Sequence, residues 1–229
     1  KKPWLKTVST MPAQNHLRVG TLNVRGVSDF TNAMSLVREM KRRNVDVLLL
    51  QEHNVKAAKI PNLVANLSRA GICSAWSCST TKDERGGTAV LIRENVAVEP
   101  QVLIDHKRGN SLDGGLCMIE VKIGSDRVRL ASIYLPAKPS IRKSIISELT
   151  ELELISNNTI LGGDMNCVPD PTLDMKSLDG CRKADKQNTG GPELEKMLTA
   201  AGLEDVYRRF NGTKREYTWF SETVYKRHD

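Results

Sequence analysis

The stretch VDVLLLQE, residues 45–52, restricts the fold more than any other part of the chain. Residues 47–50 are apolar without alternation, which reads as a strand that needs cover on both faces. No apolar run in the chain is longer than these four residues, far below the roughly 20 needed to cross a membrane as a helix. A sheet carrying such a strand needs another layer on each side, and the rest of the chain must supply both.

The flanking patterns offer suitable layers. LRVGTLN is a short β-rich run. Ala33, Leu36, Val37 and Met40 fall on one helical face, with Asp29 or Thr31 as candidate cap. A second helix is expected over 61–70, with Leu63, Val64 and Leu67 inward and Gly71 closing it. GTAVLIRE, VAVEPQVLI, LCMIEVKI and VRLASIYLP then read as strands separated by turns. A helix over 140–154, the strand TILGGD and the Pro-started helix PELEKMLTAAGL follow, and YTWF and VYKR end the chain as short β-like pieces. The expected class is α/β (α+β): two packed mixed β-sheets with helices on their outer faces. Residues 1–16 read as an N-terminal extension and 17–229 as one domain.

Composition excludes several kinds of chemistry. Five cysteines without a CxxC pair argue against a disulfide framework or a structural zinc site. Cys73, Cys78 and Cys117, in apolar strand-like contexts, read as buried small hydrophobes. Four histidines, none paired with another at ligand spacing, argue against zinc hydrolysis. The N-terminal residues include no apolar core of the secretory-signal type. Lys and Arg total 34 against 27 Asp and Glu, a net charge of +7, which points to a polyanionic partner without bearing on fold.

Polar residues close four of the expected strands: Asn23 after VGTL, Glu52 after DVLLLQ, Tyr134 in IYLP, and Asp164 with Asn166 in GGDMN. A lone carboxylate after a strand is ordinarily a solvated turn. Four such ends together are harder to dismiss, because side chains that bind or react collect where a rigid sheet ends. Carboxylates next to apolar runs are costly to desolvate unless paired, and a hard divalent cation pairs with them well. In GGDMN the glycines permit close backbone approach, and alternation sends Asp164 and Asn166 to one face. One group to orient water and one to hold a phosphate oxygen suits phosphodiester hydrolysis, in which positioning and charge neutralisation dominate.

In order along the chain, LNVRG, LLLQEHN, ERGGTAVLI, IYLP, GGDMNCVPDP, LEDVYRRFN, REYTWFS and KRHD resemble the exonuclease–endonuclease–phosphatase family. Within it they look most like the apurinic-type endonuclease domain of non-LTR (LINE-type) retrotransposons. The resemblance implies a four-layer αββα sandwich and metal-dependent (Mg²⁺ or Mn²⁺) cleavage of double-stranded DNA, leaving a 3′-hydroxyl that primes reverse transcription. It implies that Glu52 holds the metal with Asn23 nearby, that Asp164 positions the attacking water, and that Asn166 and Tyr134 contact the phosphoryl group. Thr218 would line the DNA-facing surface, and Asp229 matches the aspartate that orients a histidine in relatives. Lys214, Arg215, Lys226 and Arg227 flank the Thr218 loop and are expected to contact phosphates. Trp219 and Phe220 read as strand residues of the core rather than wedges for DNA. The same likeness implies a monomeric domain acting in the nucleus, within a polyprotein that carries a reverse transcriptase.

One departure stands out. The family's Ser-Asp-His motif, on a further C-terminal strand, does not occur in residues 17–229, so the resemblance implies a domain lacking that strand and nicking weakly or not at all. Neither His53 nor His228 is a good substitute, since each adjoins a site carboxylate and strand neighbours face opposite ways. Two other readings stay open: an abasic-site repair endonuclease or other phosphoesterase of the same fold, and a DNA-binding module that has lost catalysis.

Overall fold

The computed structural model describes residues 6–10, 17–27, 29–79, 86–96, 98–104, 112, 114–177, 188–220 and 224–226. The chain divides into two compact units, Lys1–Tyr134 with Ile160–Asp164, and Leu135–Thr159 with Met165–Asp229.

The first unit holds two sheets. Strands β1 (Lys6–Thr10), β2 (Leu17–Asn23), β3 (Val47–Gln51), β4 (Ile72–Ser77) and β5 (Thr88–Arg93) form one, in the order β1-β2-β3-β5-β4. It is mixed, because β2 and β3 run parallel while the other neighbours are antiparallel. Strands β6 (Val98–Ile104), β7 (Leu116–Ile123), β8 (Asp126–Tyr134) and β9 (Thr159–Asp164) form the second, in chain order.

The double cover demanded by β3 is present. Every β3 residue is buried. Val47 and Leu49, with Val90 and Ile92 of β5, pack against Cys117, Ile119, Val121 and Leu130 of the second sheet. Leu48 and Leu50 face the other way, into a core shared with Ala33, Val37 and Met40 of α1 (Phe30–Arg42) and Leu63 and Leu67 of α2 (Ile60–Arg69). Period-two alternation in the strand thus meets period-3.6 stripes on the helices. Asp29 is the α1 cap, its side chain accepting from the Asn32 N–H. A helix layer and two sheet layers, three of the four expected, lie in this unit.

Two of its strands are not among the runs read as strands, although Cys73 and Cys78 mark a strand-like context around the second. Residues 6–10, inside the expected N-terminal extension, pair antiparallel with β2. KTVST has no apolar alternation to announce a strand, and its place at a sheet edge requires none. β4, ICSAWS, mixes small and polar residues, although Ala75, Trp76 and Ser77 are all buried. Cys78 and Cys117 are buried and Cys73 is partly so.

The second unit is built from α3 (Pro139–Glu151), α4 (Pro171–Asp174), β10 (Met175–Ser177), α5 (Gly191–Ala200), α6 (Val206–Asn211), β11 (Trp219–Phe220) and β12 (Val224–Lys226). α3 packs on α5, and the strands form a small sheet in the order β10-β12-β11. Two charged side chains organise it. Asp174, 1% exposed at its side chain, forms an ion pair with Arg208, whose guanidinium also donates to the Gly212 and Lys214 carbonyls.

Arg142 is 1% exposed. It donates through Nε to the Thr189 carbonyl at 2.8 Å and through Nη1 to the Pro136 and Ala137 carbonyls at 2.9 and 3.0 Å. The guanidinium therefore ties the chain before α3 to the chain before α5. Replacing Arg142 by Met keeps the aliphatic stem and strips these carbonyls of a donor, so a loss of about 2–4 kcal/mol is expected. Thermal or urea denaturation measures it, and an unchanged midpoint would show that solvent satisfies the same oxygens.

Candidate active site

The site is assembled where strands of both sheets end. Asn23 is the last residue of β2, in register with Gln51 of β3. Glu52 follows β3, Tyr134 ends β8, and Asp164 ends β9. Asn23 Nδ2 donates to Glu52 Oε1 at 2.9 Å and to Asp164 Oδ2 at 3.0 Å. Its Oδ1 accepts the Arg25 N–H at 3.2 Å. With donors on one end and an acceptor on the other, the amide can take only one orientation.

Glu52 has φ 53, a left-handed conformation uncommon outside glycine. The strand stops there, and neighbouring backbone holds the turn. Val24, Gly26 and Val27 donate N–H groups to the carbonyls of Gln51, Glu52 and His53 at 3.0, 2.7 and 2.7 Å. The segments after β2 and β3 are therefore tied to one another along their length.

Asp164 reaches Asn23 because β9 lies unusually close to its neighbours. A Cβ on Gly163 would sit 1.9 Å from the Ile133 carbonyl oxygen, and one on Gly162 would sit 2.8 Å from Leu49 Cδ1. The close approach expected of GGD is its actual role.

Tyr134 is held protonated well above the ordinary phenol range. Burial is the largest cause, followed by the charge of Glu52, its hydrogen bond to Glu52 and the charge of Asp164. The phenol donates to Glu52 and stays a donor at any pH a protein tolerates.

Two carboxylates, an amide oxygen and a phenol make an all-oxygen donor set, the kind a hard divalent cation takes. The Asn23 amide supplies hydrogen bonds to both carboxylates but no positive charge. Among the described residues no group of three His, Cys, Asp or Glu could hold a metal. The all-oxygen chemistry of the set suits a cation that completes its shell with water or substrate oxygens, as Mg²⁺ characteristically does. A shallow cleft lined by Leu22, Asn23, Gly26, Asn32 and Leu36 opens beside Asn23.

His53, next to Glu52, is fully buried. Its Nδ1 accepts the Val55 N–H at 2.9 Å, and its Nε2 lies 3.0 Å from the Ser77 carbonyl, to which it donates. Gly87, at φ 86, makes room for the ring, since a Cβ there would lie 2.4 Å from Nε2. This contact joins the QEHN and RGG motifs and was not read from the sequence; the left-handed glycine was the available signal. Both ring nitrogens are spent on backbone, so His53 does not face Glu52.

The remaining expected residues lie in the second unit. Asn166, at φ 51, donates from Nδ2 to the Leu135 carbonyl at 2.8 Å. Thr218 is half-buried at the bend before β11. Lys214 pairs with Glu216 at 2.6 Å, and Arg215 donates to the Thr172 carbonyl at 3.1 Å. Lys226 belongs to β12 by its backbone, while Arg227, His228 and Asp229 lie outside the described residues.

Comparison with known proteins agrees with this geometry. A sequence model of the Endonuclease/Exonuclease/phosphatase family matches residues 20–223. Among solved structures, an AP endonuclease from Archaeoglobus fulgidus is 22% identical, with 90% of this chain and 79% of that one covered and a TM-score of 0.65. AP endonuclease LMAP from Leishmania major is 17% identical, with 91% and 74% covered and a TM-score of 0.67. The endonuclease domain of TRAS1, a telomere-specific non-LTR retrotransposon, is 16% identical, with 83% and 74% covered and a TM-score of 0.54. At these identities the structural likeness carries the fold alone.

His53 also makes the fold sensitive to acid. Burial lowers its pKa to about 4, against hydrogen bonds to the Ser77 and Thr88 backbone that raise it. Between pH 6.5 and 4 the unfolded chain binds a proton that the folded chain does not. Stability present above pH 6.5 is therefore lost as the pH falls, by about 3 kcal/mol once pH 4 is passed. Urea midpoints of the wild type and His53→Gln across this range should diverge in slope, with the variant flatter; parallel curves would rule out His53 as the source.

Proposed function

The chain belongs to the Endonuclease/Exonuclease/phosphatase family, and we propose that within it the protein is a divalent-metal-dependent DNA endonuclease of a non-LTR retrotransposon. Members of the family are hydrolytic nucleases and phosphatases and generally use divalent metals. The observation that carries the reading is the single Asn23 amide bridging Glu52 and Asp164 at the ends of strands from two sheets. The ordered motif series supports the retrotransposon branch.

Glu52 would hold Mg²⁺ or Mn²⁺, and the Asn23 amide would turn its oxygen, which accepts the Arg25 N–H, toward the ion. When bound, the ion neutralises charge on the scissile phosphate and the departing 3′-oxygen. Asp164, its carboxylate oriented by Asn23, would position the attacking water and take its proton. Tyr134, kept protonated, would turn its single O–H from Glu52 to a phosphoryl oxygen once an ion engages the carboxylate. Asn166 would hold another phosphoryl oxygen. Thr218, Lys214, Arg215, Lys226 and Arg227 would face double-stranded DNA, with Lys214 exchanging Glu216 for a phosphate; Asp229 would orient a histidine. The setting is a polyprotein with a reverse transcriptase, acting on nuclear DNA, with this domain monomeric.

A plasmid-nicking assay tests the reading. Supercoiled DNA should be nicked with Mg²⁺ or Mn²⁺, not with chelator, and the nicks should carry 3′-hydroxyls that a polymerase extends. Asp164→Asn should lower the rate by about 10²-fold or more. Robust nicking by that variant would overturn the assignment of roles. Strong preference for an abasic duplex over intact plasmid would support the repair reading instead. Salt-sensitive binding without cleavage would support a module that binds DNA only.

A further inference from the structure

A polar circuit is buried between the two sheets of the first unit, beneath the candidate site. Gln51 is 1% exposed and Ser132 is fully buried. Gln51 Nε2 donates to Ser132 Oγ at 3.0 Å, and the Ser132 hydroxyl donates onward to the Leu50 carbonyl at 2.7 Å. The Thr21 hydroxyl donates to Gln51 Oε1 at 3.3 Å. β2 and β3 belong to one sheet and β8 to the other, so the Gln51 amide crosses the gap between layers. Around it the gap is filled by Val47, Leu49, Val90, Cys117, Ile119 and Leu130.

An amide placed in such a core is costly unless its partners are arranged for it, and apolar residues of similar volume would pack there without that demand. The location of the circuit supplies a use. Thr21 precedes Asn23 by two residues on β2, so the two share a strand face. Ser132 stands in the same relation to Tyr134 on β8, and Gln51 immediately precedes Glu52. Each of the three strands therefore contributes one member to the circuit and one to the site above it. Apolar packing between sheets is non-directional and tolerates small slides, whereas hydrogen bonds restrict distance and angle together. The site depends on such restriction, because Tyr134 on one sheet must reach Glu52 on the other.

We propose that Gln51 is a positioning residue: its amide fixes β3 against β8, and so fixes the reach of Tyr134 to Glu52 and the hold of Asn23 on both carboxylates. The geometric part stands without any assigned activity; the effect on turnover rests on the nuclease reading above.

The test uses the whole chain with Gln51→Met, which keeps volume and removes every polar atom of the amide. Ser132→Ala, which removes one hydroxyl, serves with the same expectations where Gln51→Met does not fold. In ¹⁵N–¹H spectra without metal, the Asn23 side-chain amide signals should move toward unbonded values while helix signals from α1 and α2 stay in place. Where the wild type nicks DNA, kcat should fall about 10-fold to 10²-fold with KM nearly unchanged, as expected for misplaced rather than missing groups. Unmoved Asn23 signals together with wild-type kcat, whatever happens to the melting temperature, would reduce Gln51 to a stabilising residue and overturn the proposal. A wild type that never nicks DNA removes the nuclease reading alone, and the Asn23 signals then decide for or against Gln51.

Discussion

Two carboxylates meet at one neutral amide in this protein. Asn23 Nδ2 carries two hydrogens, one directed to Glu52 and the other to Asp164. The amide orients both groups and neutralises neither. Two carboxylates that share one neutral donor repel each other when both are charged. On the proposed reading, a cation entering there would relieve that repulsion.

Holding that arrangement requires features that make little sense separately. Glu52 adopts a left-handed conformation that a strand would not choose, and the N–H groups of Val24, Gly26 and Val27 lock it there. Gly162 and Gly163 weaken β9 as a strand, yet a Cβ on Gly163 would run into the Ile133 carbonyl and one on Gly162 would displace a Leu49 methyl. Backbone strain and missing side chains carry a cost that persists only where surrounding contacts over-determine the conformation. Here those contacts are the doubly covered β3 and the core on each of its faces.

Features legible in the sequence were those with a local period. β3, the stripes of α1 and α2, and the polar strand ends could be read because alternation and helical spacing are one-dimensional signals. Arg142 also left a trace, three and four residues before Ile145 and Ile146 on the buried face of α3, where a cation requires an explanation. Other features depend on partners far along the chain. The burial of His53 follows from the absence of a side chain on Gly87, and the circuit of Gln51 needs Ser132, 81 residues later. β1 carries no pattern because a sheet edge asks for none. The basic pairs illustrate a different gap: sequence shows a cation at Lys214 but not that Glu216 already holds it.

That last point bears on what the positive excess does. Arg42 and Arg43 share Glu39, Arg209 pairs with Glu204, and Lys214 with Glu216, all at least partly open to solvent. Such pairs are worth about 0–1 kcal/mol and contribute little to the fold. For the same reason they can be exchanged for a phosphate at small cost. A surface of weakly held cations attracts a polyanion from a distance without specifying how it docks. Docking must then be decided by groups with fixed directions, and in the first unit these are the strand-end side chains. On the proposed reading, charge would bring a polyanion near, and the strand-end groups oriented by the Asn23 amide would select the phosphate.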